Sequence, residues 1–481
     1  MHLSLLSRTI AAIIFLRLLY RRISGPLVHL PGAEISRWTG LVSMIYWFRG
    51  QKPNYIHYLH DKYGPIVRVS PNEVDICDVE AVKEIHKTGG RFLKSAFYQA
   101  LTPPGIENVF STRDPAFHTA HRRLLAAPIS DSSLTVFETI ITSKVALAVN
   151  RMAEEMASRG AMDVFKWWLF MATDIIGELS FGESFRMLES GKKNQYALDV
   201  EQTSSFAPVR TTFPSLVRLG SIIPLPVFRT VADAGKRMGI YAQQSVDRHR
   251  RLIEKSGSDA KPTLFGKLYN AGQDGLSNAE IRNEAQAYIV AGSDTTAITL
   301  TYLVYSVCQN EDIRAKLVNE LSSLPTDFND RMIRELPYLN QVINETLRLY
   351  TAVPLGLPRT VPPEGASFLG HHLPGGLTVT TQSYSLHRME GIFHEPNRFD
   401  PNRWEIPTKE MKDASIPFGR GSRICIGMHL ARMELRLATT LFFRAFPTAK
   451  ISTKEGMGDE DMKMKSFFLM APKEHRCLLE T

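Results

Sequence analysis

The chain has 481 residues, 44% hydrophobic and 22% charged, enough apolar material for a large core that can enclose a ligand. Its formal charge of +8 suits an anionic membrane surface or an acidic partner protein. It carries no basic run with interleaved aromatics, no zinc-finger spacing and no RNA-binding signature, so nucleic acid is not expected as a partner. Cys77, Cys308, Cys425 and Cys477 form no CxxC pair and are too few for a disulfide framework, which points to a reducing compartment and leaves room for one cysteine with chemistry of its own.

Leu3 to Tyr20 is mostly apolar, densest from Ile10 to Leu16, with Arg17, Arg21 and Arg22 following. Residues 1–24 are read as a single N-terminal membrane anchor, near the minimum length for a bilayer, whose flanking arginines would keep residues 25–481 cytosolic. A surface-lying amphipathic helix is the other reading. A cleaved signal peptide has no small-x-small site to support it. The Gly25-Pro26 and Pro31-Gly32 pairs then read as a stiff spacer.

Ile66-Val67-Arg68-Val69, Ser70-Pro71-Asn72-Glu73 and Val74-Asp75-Ile76-Cys77 predict strand, turn and strand. From about 115 to 350 the pattern is chiefly helical, except Ser205 to Arg229, where Pro208, Pro214, Pro224 and Pro226 among apolar residues predict a mobile, greasy loop. Ser277 and Glu280 form a capping box ahead of a helix reaching Cys308, about 45 Å long at 1.5 Å per residue and too apolar to lie outside the core. A second helix covers Tyr338 to Tyr350, residues 361–386 suggest short strands and turns, and Met428 to Ala445 is helical again. The expectation is one large domain over 25–481, mainly α with a minor β-sheet region.

Phe418-Gly419-Arg420-Gly421-Ser422-Arg423-Ile424-Cys425-Ile426-Gly427 is a glycine-rich loop leading into a helix, where backbone N–H groups favour a thiolate. It resembles the haem-ligand signature FxxGxRxCxG of the cytochrome P-450 superfamily, and all five fixed positions match. The resemblance runs in motif order from about Pro31 to the end of the chain, and the hinge and short anchor look most like fungal microsomal members. It implies the fold of that family, with Cys425 as the axial ligand of a haem b iron and Phe418 and Arg423 beside the same cofactor.

Glu345-Thr346-Leu347-Arg348 and Pro396-Asn397-Arg398-Phe399 resemble the ExxR and PxRF motifs of the family, implying a buried network of Glu345, Arg348 and Arg398 that locks the cysteine loop. Ala291-Gly292-Ser293-Asp294-Thr295-Thr296 breaks helix rules in the middle of the long helix and resembles the oxygen-activation motif [AG]GxDTT. It implies Gly292 leaving room above the cofactor, Asp294 relaying protons and Thr295 donating a hydrogen bond at the oxygen. A bland alternative is a packing notch with a back-bonded threonine. His118-Thr119-Ala120-His121-Arg122-Arg123 is similar to the WxxxR helix, with His118 where Trp is common and Arg122 toward a haem propionate. Arg359 aligns with a second propionate position.

The family resemblance implies reductive activation of O2 and hydroxylation of a lipophilic small molecule, such as a fungal terpenoid or polyketide, at the endoplasmic reticulum membrane. Too few residues follow Cys425 for flavin domains. Electrons are therefore expected from NADPH through a separate reductase, with a cytochrome b-type protein as a possible second donor, and Arg420, Arg432 and Arg436 as candidate docking residues. Substrate contacts are expected from Ser95 to Phe110, the 205–229 segment, Val353 to Leu357 and Phe467-Phe468. A haem-thiolate isomerase or dehydratase, and a non-catalytic haem-binding protein, are the competing readings.

Overall fold

The computed structural model describes residues 9, 12, 13, 16, 19, 20, 27–103, 105–222, 226–256, 263–266 and 276–481. The expected anchor at 1–24, and Pro224, lie largely or wholly outside these residues. Packing divides the chain into two compact units. The smaller takes Met1–Ser95, Pro354–His394 and Glu410–Ile424; the larger takes Ala96–Val353, Glu395–Lys409 and Cys425–Thr481. The last boundary therefore falls immediately before Cys425.

The smaller unit is organised by a five-stranded sheet. Ile66–Ser70 pairs antiparallel with Glu73–Ile76 across the expected turn, with Ile66 opposite Ile76 and Arg68 opposite Val74. Glu73–Ile76 runs parallel to Thr378–Thr380, which pairs antiparallel with Arg359–Thr360, and that strand with Leu93–Lys94. One face buries Ile66, Val74, Ile76, Ile85, Phe92 and Val379 together with Leu27 and Leu30. The described part of the expected spacer is not free: Arg68 N–H donates to the Pro31 carbonyl at 2.8 Å and Gly32 bridges to Arg68. Gly32 has φ +150°, and a Cβ there would press on the Arg68 backbone, so glycine is what lets the segment lie against the strand.

The larger unit is helical around Asn278–Cys308. Both arms of the capping box are present: Ser277 N–H donates to Glu280 Oε2 at 2.8 Å, and Glu280 N–H donates to Ser277 Oγ at 3.3 Å. Every residue from Thr296 to Cys308 is buried, as expected of a helix apolar all round. It packs along Val164–Phe181, itself almost wholly buried, and against Met428–Ala445. Small sheets complete the unit, including the hairpin Met464–Phe467 with Leu469–Pro472.

The greasy loop expected over 205–229 is instead mostly helix: Ala207–Thr212 and Pro214–Ile222, then Pro226–Ser256. Three of the prolines misled because they stand in first turns. Pro208 lies at the start of its helix, and Pro214 and Pro226 are the first residues of theirs. In a first turn the missing N–H has no helical acceptor to lose, and proline's fixed φ already suits the helix.

Candidate functional site

The cysteine loop rests on two glycines with left-handed backbones, Gly419 (φ +73°) and Gly421 (φ +69°). A Cβ at Gly421 would overlap the carbonyl oxygen of His86, so no other residue fits. The side chain of His86 is buried and accepts or donates at 2.8 Å to Thr381 Oγ1. Burial, with the charges of Arg359 and Arg420 adding to it, pushes the pKa of His86 down to about 3, so the ring is neutral. Arg359 is buried on its strand, with Nη1 donating to the Phe92 carbonyl at 3.4 Å. Phe418 and Arg423 are half-buried, Arg423 closing the single tight turn Gly421–Arg423. These residues all belong to the smaller unit.

Cys425 opens the last stretch of the larger unit, three residues before the helix Met428–Ala445. Cys425 is exposed as a residue, while burial of its thiol raises the pKa; the Gly427 N–H and the Arg122 guanidinium work in the opposite direction. The coupling is mutual: burial lowers the Arg122 pKa, and a charge on Cys425 opposes that lowering. Tyr288 on the central helix, unnoticed in the sequence, also feels Cys425 and donates from its hydroxyl to the Leu125 carbonyl at 3.3 Å.

The helix carrying Arg122, Pro115–Ala126, is capped by Asp114, whose carboxylate accepts from Ala116 N–H at 2.8 Å. His118 is buried on its inner face. His121 bonds through Nδ1 to Glu284 Oε1 at 3.0 Å and pairs through Nε2 with Glu280 Oε1 at 3.3 Å, tying this helix to the central one. Burial disfavours the His121 imidazolium, but the hydrogen bond and charge of Glu284 outweigh it and hold the pKa above its ordinary value.

On the central helix, burial pushes the pKa of Asp294 up to about 6, with Glu201 adding to it and Lys193 opposing. Thr295 Oγ1 donates to the Ala291 carbonyl at 2.8 Å, and Ser293 and Thr299 make the same backward bond four residues up the helix. A Cβ at Gly292 would meet Ile176 at 3.0 to 3.3 Å, so the glycine permits close approach of Val164–Phe181. Thr296, next to Thr295, donates at 2.8 Å to Glu434 Oε2. Glu434 is buried, and burial takes its pKa up to about 8, so it is a neutral acid at pH 7.

Glu345 and Arg348 are both fully buried and joined by two bonds of 2.8 Å, Nε to Oε2 and Nη2 to Oε1. Arg348 Nη1 donates to the Pro396 carbonyl at 2.7 Å. Glu345 accepts further from Asp400 N–H (2.9 Å), Arg403 Nε (3.0 Å) and Trp404 Nε1 (2.9 Å). The expected third arm, Arg398, contributes only its carbonyl; its side chain is exposed and pairs with Glu395 at 2.9 Å. Arg403 takes that place. The chain offers the pattern twice, Pro396-Asn397-Arg398-Phe399 and Pro401-Asn402-Arg403-Trp404, and only the second turns its guanidinium inward.

All three expected docking cations already have partners within the protein. Arg436 is buried, with Nε on Asp330 Oδ1 at 2.8 Å and Nη2 on Oδ2 at 2.9 Å, and cannot meet a partner. Arg432 is half-buried and donates to Asn344 Oδ1 at 3.2 Å. Arg420 pairs at 3.3 Å with Asp413, which also holds Lys83 at 2.9 Å.

Two of the segments expected to contact substrate meet in the larger unit. Phe468 lies 6.2 Å from Phe97 and 5.7 Å from Phe110, and Phe110 lies 5.5 Å from Tyr98, centroid to centroid. Among the described residues no group of three His, Cys, Asp or Glu side chains could hold a bare metal ion. An iron at Cys425 would have to bring its other ligands with it, which a porphyrin does, and a single exposed cysteine that feels the charge of a guanidinium fits that group.

Comparison with known proteins agrees in length as well as motif. The family profile Cytochrome P-450 matches residues 36–479. The chain is 52% identical over 471 residues to the cytochrome P-450 monooxygenase tazI of Aspergillus terreus, covering 97% of this chain and 96% of that protein. It is 45% identical over 439 residues to the cytochrome P-450 monooxygenase azaI of Aspergillus niger, covering 87% and 94%. With the cytochrome P-450 monooxygenase aflV of Aspergillus parasiticus the identity is 36% over 483 residues, covering 95% and 91%.

Proposed function

Because this chain belongs to the cytochrome P-450 family, we propose that Cys425 supplies the thiolate to its haem and that Asp294 and Thr295 manage the protons of the reaction. The protein is a haem-thiolate monooxygenase, with haem as cofactor, a redox partner as electron source and a small molecule as substrate. The overall change is R–H plus O2, two electrons and two protons giving R–OH and water. Bound haem supplies dioxygen activation, with thiolate donation favouring O–O cleavage.

The chain's own residues prepare that chemistry. Gly427 N–H and Arg122 stabilise negative charge on Cys425 against the penalty of burial, and Arg122 is the best-supported cationic contact for a haem propionate. His118, one helical turn earlier, accompanies it; Phe418, Arg423 and Arg359 are carried by the family pattern. Asp294, with a pKa of about 6, can take a proton from neutral water and release it inward. Thr295 holds its hydroxyl on Ala291, and a rotation about χ1 frees that hydrogen for the reacting oxygen.

The finer assignments follow the same reading. The haem is haem b, and NADPH feeds a separate reductase, optionally joined by a cytochrome b-type donor. The substrate is a lipophilic fungal secondary metabolite, terpenoid or polyketide, a choice supported by the Phe97, Tyr98, Phe110 and Phe468 cluster. Residues 1–24 anchor the protein to the endoplasmic reticulum membrane with 25–481 as its cytosolic catalytic domain, a reading supported by the apolar run Ile10 to Leu16 and the arginines after it. The observation that carries the proposal is Cys425 with its matched loop. Its catalytic half is tested with purified reductase: Thr295→Ala should consume NADPH while yielding several-fold less product, and unchanged coupling would remove Thr295 from the mechanism.

A further inference from the structure

We propose that Arg210 is an anion-binding subsite, and that the substrate is a lipophilic organic acid whose carboxylate, or equally acidic enol or phenol, is held there. Arg210 lies in the helix Ala207–Thr212 and is 7% exposed. Nη1 donates to the Thr203 carbonyl at 3.0 Å and Nη2 to the Leu101 carbonyl at 2.8 Å, while the buried Nε has no partner. Among the described residues no carboxylate lies within ion-pair distance of it. Burial is the sole influence on its pKa, which falls to about 10 without any compensating charge. Other buried arginines of the larger unit are treated differently: Arg348 has Glu345 and Arg436 has Asp330. A buried guanidinium without a counter-charge is costly, and an incoming anion offsets that cost.

Its two acceptors sit at helix ends. Leu101 is the last residue of Phe97–Leu101, and Thr203 lies in the last turn of Gln195–Ser205. The negative end of the longer helix is worth about half a charge. These contacts hold Nη1 and Nη2 in place, while Nε is buried without an acceptor, and the fork geometry of a guanidinium suits a carboxylate. The helix that ends at Leu101 also carries Phe97 and Tyr98, members of the aromatic cluster with Phe110 and Phe468. A fixed positive charge at the edge of an aromatic surface selects a ligand that is apolar along its length and anionic at one end.

The inference rests on that surface serving the substrate of a haem-thiolate monooxygenase, and the test separates the two. The full-length holoprotein is first checked for the red-shifted Soret band of its reduced, CO-bound form; absence of that band would count against the haem-thiolate reading alone. Dodecanoate and 1-naphthoate are then titrated at pH 7.5 against their methyl esters, with binding read by the spin-state change of the Soret band and independently by calorimetry. The wild type should bind each acid about tenfold or more tightly than its ester. Arg210→Met should erase that preference, and Arg210→Lys should keep part of it. The proposal is overturned if the wild type binds neither acid, if it shows no preference for acid over ester, or if Arg210→Met keeps the preference. The first two outcomes need no variant to fold.

Discussion

Two sets of ionisable groups lie inside the larger unit, and they are treated in opposite ways. Around Glu345 one carboxylate oxygen has three donors, from Arg348, Asp400 and Arg403, and the other has two, from Arg348 and Trp404; Arg348 also donates to the Pro396 and Arg398 carbonyls. Asp294, on the central helix, has no such ring among the described residues, and Glu434, on Met428–Ala445, has one hydroxyl, from Thr296; both are pushed toward the protonated form by burial. Full pairing makes a brace that holds the 396–404 segment on its helix. Sparse pairing leaves carboxyls that exchange protons near neutral pH, as proton handling requires.

The contrast is broken most forcefully at the brace. Arg348→Leu leaves Glu345 charged and buried without its main partner, and should cost about 3–5 kcal/mol in chemical denaturation, with loss of haem from the purified protein. A loss under about 1 kcal/mol would mean that the network is not what holds that segment. Glu434→Gln tests the other pattern through pH. A carboxyl whose pKa rises from 4.5 unfolded to about 8 folded keeps a proton that the unfolded chain releases. Its contribution is complete below 4.5 and is lost as pH rises through about 8. Thermal scans of the wild type should therefore fall across that window relative to the variant, and parallel curves would show Glu434 ionised throughout.

Asp294→Asn should lower turnover about 100-fold with little change in melting temperature, and remove a limb near pH 6 from the turnover profile. A comparable loss of stability and rate would make Asp294 a packing residue. The smallest effect separates the two arginines of the repeated pattern. Arg403→Ala should cost about 1.5–3 kcal/mol as the loss of a charged hydrogen bond, whereas Arg398→Ala should stay within about 1 kcal/mol as the loss of an exposed pair. Equal effects in denaturant titrations would restore Arg398 to the network.

What the sequence made legible was local. The capping box at Ser277 and Glu280, the Cys425 loop and the Glu345–Arg348 spacing each lie within one turn or one loop, where residue type and offset decide the geometry. What it hid depends on partners far along the chain. Thr296 and Glu434 are 138 residues apart, Arg436 and Asp330 are 106, and nothing near either member announces the other. Nor does anything near Gly292 announce Ile176, which lies against it. Prolines that read as breaks over 205–229 were helix starts, because their effect depends on which turn they occupy.

The central claim is the thiolate at Cys425, and the absorption spectrum of the reduced, CO-bound protein reads it most directly. The wild type should show a strongly red-shifted Soret band, and Cys425→Ser should lose that shift even where it still takes up haem. An unshifted band in the wild type, or a shifted band that persists in Cys425→Ser, would contradict the assignment.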